Sequence, residues 1–525
     1  MTKQRAALTM DHLLVATLLA LVWLFISILP LPPNDLWWHM AAGRAMLQEG
    51  AWITTNRWAY TLPADAPYVY QSWLSEVLMY LAWQVAGTPG LMLLRTLCVT
   101  LGHALLAWHA MRRTGGAGKA VALALLLTVL AGWDNWTLRP QTLALVPGAV
   151  LVVVLGEILD GRFGRRWLAA LPLTMLVWVN LHGSFILGLA LIGLAWLGVV
   201  AGGWSSVAGG SSSAPGPRPS ALGPLSLALR LSLARDFTLA AAVSALAVCI
   251  HPLGLGIFGY VADMLGNAEL QERFVEWQPP RNAPDPLNTG FWFYLVLFLL
   301  AALMAGGRRR PGAVEVLWFC GLGWLAVDAG RYVIWFALAL APLLAAQFGA
   351  LLPARAPAAP RPIAIGYGIA LLALLVATLP WFEPGRALAP DGELRIAAAS
   401  GPYRTLLSST TPVGAAEWLA ANPQPGRFWA DMSLTSYTIW RLPELQVFAD
   451  LRVELFPRAV WDEYFAIARG DQASLALIER WGITHLLLDR GYNQPLIELL
   501  ADTSGWCERY ADRTSVVYAR CNTTR

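Results

Sequence analysis

Residues 34–44 read NDLWWHMAAGR. They follow directly on the first apolar run, residues 13–32, so an acid, two tryptophans, a histidine and an arginine stand where that run ends. If the run belongs to a soluble core, this stretch is an ordinary amphipathic helix. If the run crosses a bilayer, the stretch opens an exterior loop and its ionisable residues sit at the membrane edge. Composition favours the second reading. Of 525 residues, 57% are hydrophobic and 13% charged, with a mean hydropathy of +0.52; soluble domains carry about a quarter charged residues. The 26 tryptophans agree, because indole rings favour the membrane–water boundary. The net charge is +4, with Lys and Arg in short clusters between apolar runs. A nucleic-acid surface spreads basic residues over one folded face, so that class is disfavoured. Cys98, Cys249 and Cys320 lie in apolar runs as small hydrophobes, and no cysteine spacing suggests zinc.

A span needs about 20 apolar residues, fewer where neighbouring helices shield it. Eleven runs qualify: 13–32, 91–111, 120–133, 142–159, 167–179, 185–200, 237–250, 291–305, 314–327, 332–352 and 363–381. The positive-inside rule tests that set. Lys3 and Arg5 place the N-terminus in the cytoplasm. Every later basic cluster then falls on the same side: Arg112 with Arg113, Arg162 with Arg165 and Arg166, Arg218 with Arg230 and Arg235, Arg308 to Arg310, and Arg355 with Arg361. The expected fold is a polytopic α-helical membrane bundle of about eleven transmembrane helices, N-terminus in and C-terminus out. Its transmembrane domain covers residues 1–381 and carries a large exterior loop, 33–90. No A-x-A-like site follows the first run, which reads as an uncleaved signal anchor.

The apolar stretch 168–203 is too long for one crossing, since a straight helix of that length reaches about 54 Å. Only WVNLHGS interrupts it, so it must go out and return, with Asn180 and His182 at its tip. Polar backbone at that depth is tolerated where it lines a cavity. Residues 204–236, with GGSSSAPGPRPS, read as a flexible cytoplasmic linker. The exterior segment NAELQERFVEW, residues 267–277, is amphipathic and suited to lying on membrane lipid. Residues 382–525 turn soluble and alternate short strands (RFWADM, LQVFAD, ITHLLLDR) with helical patterns, an exterior α/β domain. Its end, WCERYADRTSVVYARC, reads as a hairpin that brings Cys507 to Cys521, a disulfide in an oxidising compartment.

The polar residues near the span ends gather on the exterior side. Asp35 and His39 follow the first span, Asp134 and Arg139 join the third and fourth, and Asn180 and His182 tip the hairpin. His251 ends the seventh span, Glu276 lies in the loop after it, and Asp328 and Arg331 join the ninth and tenth. Each has a plain structural reading. Asp35 can cap the following helix, Trp37 and Trp38 can be belt residues, and Arg139 or Arg331 can pair with Asp134 or Asp328. Convergence from several spans is what raises a functional reading. A carboxylate at the membrane edge takes a proton from an acceptor hydroxyl, and arginines at the same depth grip a phosphate leaving group. Apolar grooves hold its lipid tail.

The loop stretches DLWWHMAAGRAMLQEGAWITTNRWAYT and YVYQSWLSEVLMY resemble the first-loop signature of bacterial polytopic proteins related to GT-C glycosyltransferases. LRPQTL, VNLHGSF, HPLG, EWQPP, GRYVIWFALALAP and YTIWRLPELQVFADLR continue the match in order over most of the chain. The resemblance implies an inner-membrane transferase that moves a sugar from a polyprenyl-phosphate donor to a glycan, lipid or protein acceptor on the periplasmic side. It places a catalytic base at Asp35; His39, one helical turn on and on the same face, would assist it. Arg139 and Arg331 would grip the phosphate, and His182, Asn180 and His251 would line the sugar site. Arg44 and Glu76 match the rest of the loop signature, and Glu76 and Glu276 are candidates for acceptor contacts or for a divalent metal ion. Gln71 and Ser72 stand where some members have His-Glu, and no D-x-D remains in the loop, which weakens a metal site. A lipid or glycan transporter and a non-catalytic envelope scaffold are the rival classes. A transporter calls for polar groups at mid-depth in repeated halves, and no repeat is visible.

Overall fold

The computed structural model describes residues 8–208, 227–352, 357–381 and 406–521. The centre of the expected linker, 209–226, and the start of the expected exterior domain, 382–405, lie outside them. Residues 204–208 and 227–236, assigned above to the linker, are helical.

The first fourteen α-helices are α1 Met10–Ile28, α2 Leu36–Glu49, α3 Trp73–Arg113, α4 Gly118–Gly132, α5 Pro140–Leu159, α6 Ala170–Leu181, α7 Phe185–Ala208, α8 Leu227–Ala247, α9 Gly256–Leu265, α10 Ala268–Arg273, α11 Thr289–Gly306, α12 Ala313–Asp328, α13 Val333–Gly349 and α14 Arg361–Ala377. Each of the eleven apolar runs lies on one of these helices. Among the described residues, α1, α3, α5, α11 and the stretch Gly330–Gly349 have the length and hydropathy of a full crossing. Phe185–Val200, Gly256–Leu265 and Arg361–Ala377 are shorter apolar helical stretches.

α13 is the hub. It is buried from Val333 to Phe348 on every face and packs on α3, α4, α5, α11 and α12. A helix that is apolar all round belongs in such a place. α14 is the opposite case: none of its residues is buried, and Ile363, Ile365, Ile369 and Leu372 point outward, as a lipid-facing helix requires. The expected turn at the tip of the long hairpin is present. α6 ends at Leu181, His182 is extended, and α7 restarts at Phe185. α5 opens on Pro140 at its first position, where the missing N–H costs nothing.

α3 is bent where Gly87 adopts φ 60°, followed by Pro89. The left-handed region favours glycine, and the bend turns residues 73–86 away from the axis of the remainder. α2 lies against this first arm. A Cβ on Gly43 would overlap the carbonyl of Glu76, so only glycine there lets α2 come down onto the α3 backbone.

The C-terminal part is a small α/β unit. Its strands are β1 Arg427–Ala430, β2 Ile483–Asp489, β3 Trp506–Ala511 and β4 Ser515–Arg520, in the order β1-β2-β4-β3. β1 is parallel to β2, while β4 is antiparallel to both β2 and β3. β2 is central and buried along most of its length, which suits its three successive leucines, Leu486 to Leu488. The segment LQVFAD is no strand. Val447 makes isolated bridges to Ala59 and Phe428 instead. Cys507 and Cys521 form a disulfide with a Cα–Cα distance of 5.2 Å.

The loop 33–90 and this unit share their cores. Trp37 packs edge-on against Tyr437 at 4.9 Å, and Thr61 donates to the Phe448 carbonyl. Arg452, fully buried against Asp450, donates to the Tyr70 hydroxyl and to Asn56. Trp37 and Trp38 are therefore core residues, 2% and 5% exposed. The belt reading fails because the C-terminal unit covers them. The amphipathic segment 267–277 is likewise held by this unit, with Arg273 on Asp462 and Glu269 on Arg458.

Candidate active site

Seven of the candidate site residues line one cavity of about 180 Å³ under the C-terminal unit. Asp35, His39, Glu76, Arg139, His182, Glu276 and Arg331 all reach its wall. They come from the turn before α2, from α2 and α3, from the start of α5, from the α6–α7 turn and from the loops before α11 and α13.

Asp35 precedes α2 with helical backbone, and its side chain makes no capping bond. Asn34 accepts from the Leu36 amide instead, so the Asp35 carboxylate is left for the cavity. Its Oδ2 lies 3.9 Å from Arg139 Nη1. Burial raises its pKa to about 6, against the lowering pull of Arg139. Arg139 also donates to Glu276 at 2.9 Å, and Arg331 approaches the other Glu276 oxygen at 3.8 Å. Arg331 sits 4.0 Å over the Trp277 ring, a cation–π contact that fixes the guanidinium. Burial alone would raise Glu276, but Arg139 and Arg331 outweigh it and hold its pKa near 2. These pairings replace those expected with Asp134 and Asp328. Asp134 takes Asn135 and Thr289 instead.

His39 turns to Glu76, with Nδ1 and Oε1 2.8 Å apart. Burial pushes the pKa of His39 well below its ordinary value, and His182 and Arg139 push the same way. His182 pairs with the Ser184 hydroxyl across the hairpin turn. Burial, then Arg331 and Arg139, hold its pKa at about 3. Both imidazoles are neutral at physiological pH.

Three predicted residues lie elsewhere. Asn180 accepts from the Trp73 indole and donates to the Leu176 and Ile250 carbonyls. His251 bonds the Gln71 carbonyl through Nε2. Arg44 donates to the Trp440 carbonyl and stacks on that ring at 4.4 Å. They tie the hairpin, the seventh expected span and the C-terminal unit to the loop, and do not line the cavity. The sequence reading missed Tyr68, Tyr260 and Glu454, which do line it. Tyr68 donates to Glu454 at 2.9 Å, and burial raises the Glu454 pKa. Tyr68 stood inside the quoted loop signature, whereas nothing local marks Glu454.

A metal ion does not fit this donor set. Glu276 is taken by two arginines, Glu76 by His39 and Glu454 by Tyr68. Among the described residues no three His, Cys, Asp or Glu side chains are grouped to hold one.

No protein-family model matches the sequence, and no curated protein matches it. Solved structures do. ArnT from Cupriavidus metallidurans bound to undecaprenyl phosphate aligns with a TM-score of 0.52 over 97% of this chain and 98% of its own, at 15% identity. The oligosaccharyltransferase of Archaeoglobus fulgidus tethered with an acceptor peptide aligns with a TM-score of 0.48, at 13% identity, over 97% of this chain and 74% of its own. The likeness to ArnT spans nearly the whole of both chains, and this chain therefore shares the fold of that structure.

Proposed function

We propose that this protein transfers a sugar from a polyprenyl-phosphate donor to an acceptor on the periplasmic side of a bacterial inner membrane. The observation that carries the reading is Asp35 on the cavity wall, spared from capping and 3.9 Å from an arginine that shares Glu276 with a second arginine. The acceptor hydroxyl attacks the anomeric carbon and gives its proton to Asp35 as the new C–O bond forms. The bond from that carbon to the phosphate oxygen breaks, and the electron pair leaves with the phosphate. Arg139 and Arg331 meet the growing negative charge. Once Asp35 has taken the proton, two cations face the one remaining acid, Glu276, so that wall turns net positive as the phosphate charge develops. A base titrating near 6 is ionised at neutral pH while still close to the operating pH, which suits it to this step. The fold shared with an ArnT that binds undecaprenyl phosphate supports the same donor class. The C-terminal unit, as a periplasmic domain, closes the cavity and positions the acceptor.

The test is mass spectrometry of envelope glycans and lipid-linked sugars from cells carrying the wild-type gene, a deletion or Asp35→Asn. The reading expects Asp35→Asn to reproduce the loss seen on deletion. It falls if the deletion changes the profile and Asp35→Asn leaves it as in wild type.

A further inference from the structure

His39 and Glu76 form a closed pair, and how they share a proton follows from their surroundings. Glu76 is 0% exposed, and only its Oε1 has a partner, His39 Nδ1 at 2.8 Å. Its Oε2 is buried with no hydrogen-bond partner among the described residues. An ionised carboxylate in that position would hide half its charge from any donor, which is far costlier than burying a neutral carbonyl oxygen. Glu76 is therefore the protonated member, and its O–H donates to Nδ1. A neutral imidazole that accepts at Nδ1 must carry its hydrogen on Nε2. That nitrogen has no protein partner among the described residues, and His39 lines the cavity.

We propose that Glu76 is a positioning residue that fixes His39 as the neutral Nε2–H tautomer, so that His39 donates a hydrogen bond into the cavity beside Asp35. This rests on the transferase reading, in which the recipient is an oxygen of the bound sugar or its phosphate. The charged and titratable groups facing His39 are Asp35 at the start of its own helix, Glu76 on α3, His182 at the hairpin turn and Arg139 before α5. The two arginines nearby, Arg139 and Arg331, already carry positive charge. A neutral donor adds direction there without adding repulsion, and it stays a donor across the pH range in which Asp35 titrates. Gly43 makes the pair possible, because it lets α2 settle on the α3 backbone at Glu76. The base assistance expected of His39 from the sequence is thus replaced by hydrogen-bond donation.

The test is magic-angle-spinning NMR of the full-length protein in lipid, with ring-¹⁵N histidine and a His39→Gln sample to assign the signal by difference. We expect His39 to stay neutral with the proton on Nε2 between pH 5 and 8. Glu76→Gln, whose amide can still donate to Nδ1, keeps that tautomer and the cellular product. Glu76→Leu gives mixed tautomers and lowers product by at least about tenfold. An imidazolium or an Nδ1–H signal in the wild type at pH 7 overturns the proposal, as does an unchanged tautomer in Glu76→Leu. Should Glu76→Leu not fold, the wild-type and Glu76→Gln spectra decide alone. The spectra need no substrate, so this idea and the transferase reading can fail separately.

Discussion

Two ionic clusters sit at opposite ends of α5, about 27 Å apart along a helix that rises about 1.5 Å per residue. At the far end Glu157 is 0% exposed and both its oxygens are taken. His109 bonds Oε1 at 2.7 Å, while Arg112 and Arg162 donate to Oε2 at 3.0 and 2.9 Å. Asp160, Arg113, Glu315 and Arg309 extend that network. At the near end the cluster is left open. Trp38 Nε1, Glu76 Oε2, Arg139 Nε and Gln141 Nε2 are buried without partners among the described residues, and all four residues line the cavity. A protein that could satisfy one buried network completely has left the other incomplete. Buried groups left unpaired cost stability, and under the proposed function a bound substrate would take up those of the open cluster. Both contain a histidine on a buried glutamate, and that motif alone does not separate them.

Substitutions in each cluster should therefore fail in different assays. The largest effect belongs to Asp35. Asp35→Asn should lower turnover by about 10²–10⁴-fold, the usual worth of a positioned base. It should leave the thermal midpoint equal or slightly raised. Burial lifts the folded pKa above the unfolded value, so the ionised form opposes folding above about pH 6, and an amide removes that opposition. Thermal melts read beside product yield would break the comparison if Asp35→Asn were strongly destabilising. Glu157→Leu should do the reverse. Removing one partner from a closed buried network costs about 3–5 kcal/mol, seen as loss of folded protein, with turnover per folded molecule unchanged.

A third measurement is the pH profile. Product formation should rise with pH and reach half its plateau near 6, where Asp35 ionises. Glu276, held near 2, is ionised throughout. His39 and His182 lie below the working range, so neither should add a second limb between pH 5 and 8. A profile that is flat down to pH 4.5 would remove Asp35 as the base.

Much of this was readable from residue order, and the exceptions share a cause. Apolar runs and arginine clusters located the helices because burial in lipid and charge retention are properties of short segments. Asp35, His39, Arg139, His182 and Arg331 were legible because each stands near a run end, whereas Glu276 was read from the loop after the seventh run and Glu76 from the loop signature. Pairing partners were not. Arg139 and Arg331 find Glu276, far along the chain, rather than the neighbouring acids, because the loop that carries Glu276 folds back over them. Trp37 and Trp38 look like belt residues until the C-terminal unit covers them. LQVFAD has strand composition but meets the loop at Ala59, and its main-chain bonds go there. Asn180, His251 and Arg44 are polar for the sake of tertiary ties that no periodicity reports.

The smallest predicted effect concerns Glu454, which separates a wall contact from a structural one. It reaches the cavity from the C-terminal unit and accepts from Tyr68 of the loop 33–90 at 2.9 Å, so the two regions meet at the cavity wall. Burial raises its pKa, and its environment already tolerates a less charged group. Glu454→Gln should keep the Tyr68 bond through the amide oxygen and leave stability within about 0.5 kcal/mol. The change should appear in donor KM alone, roughly two- to tenfold, the worth of one hydrogen bond of about 0.5–1.5 kcal/mol. Glu157→Gln keeps the same shape at the closed end, yet it replaces an acceptor bound by two arginines and a histidine. It should lower the thermal midpoint and leave KM alone. If Glu454→Gln instead lowered the midpoint as Glu157→Gln does, the Tyr68–Glu454 pair would be a brace between loop and domain, and the cavity would lose its C-terminal wall as a determinant of substrate.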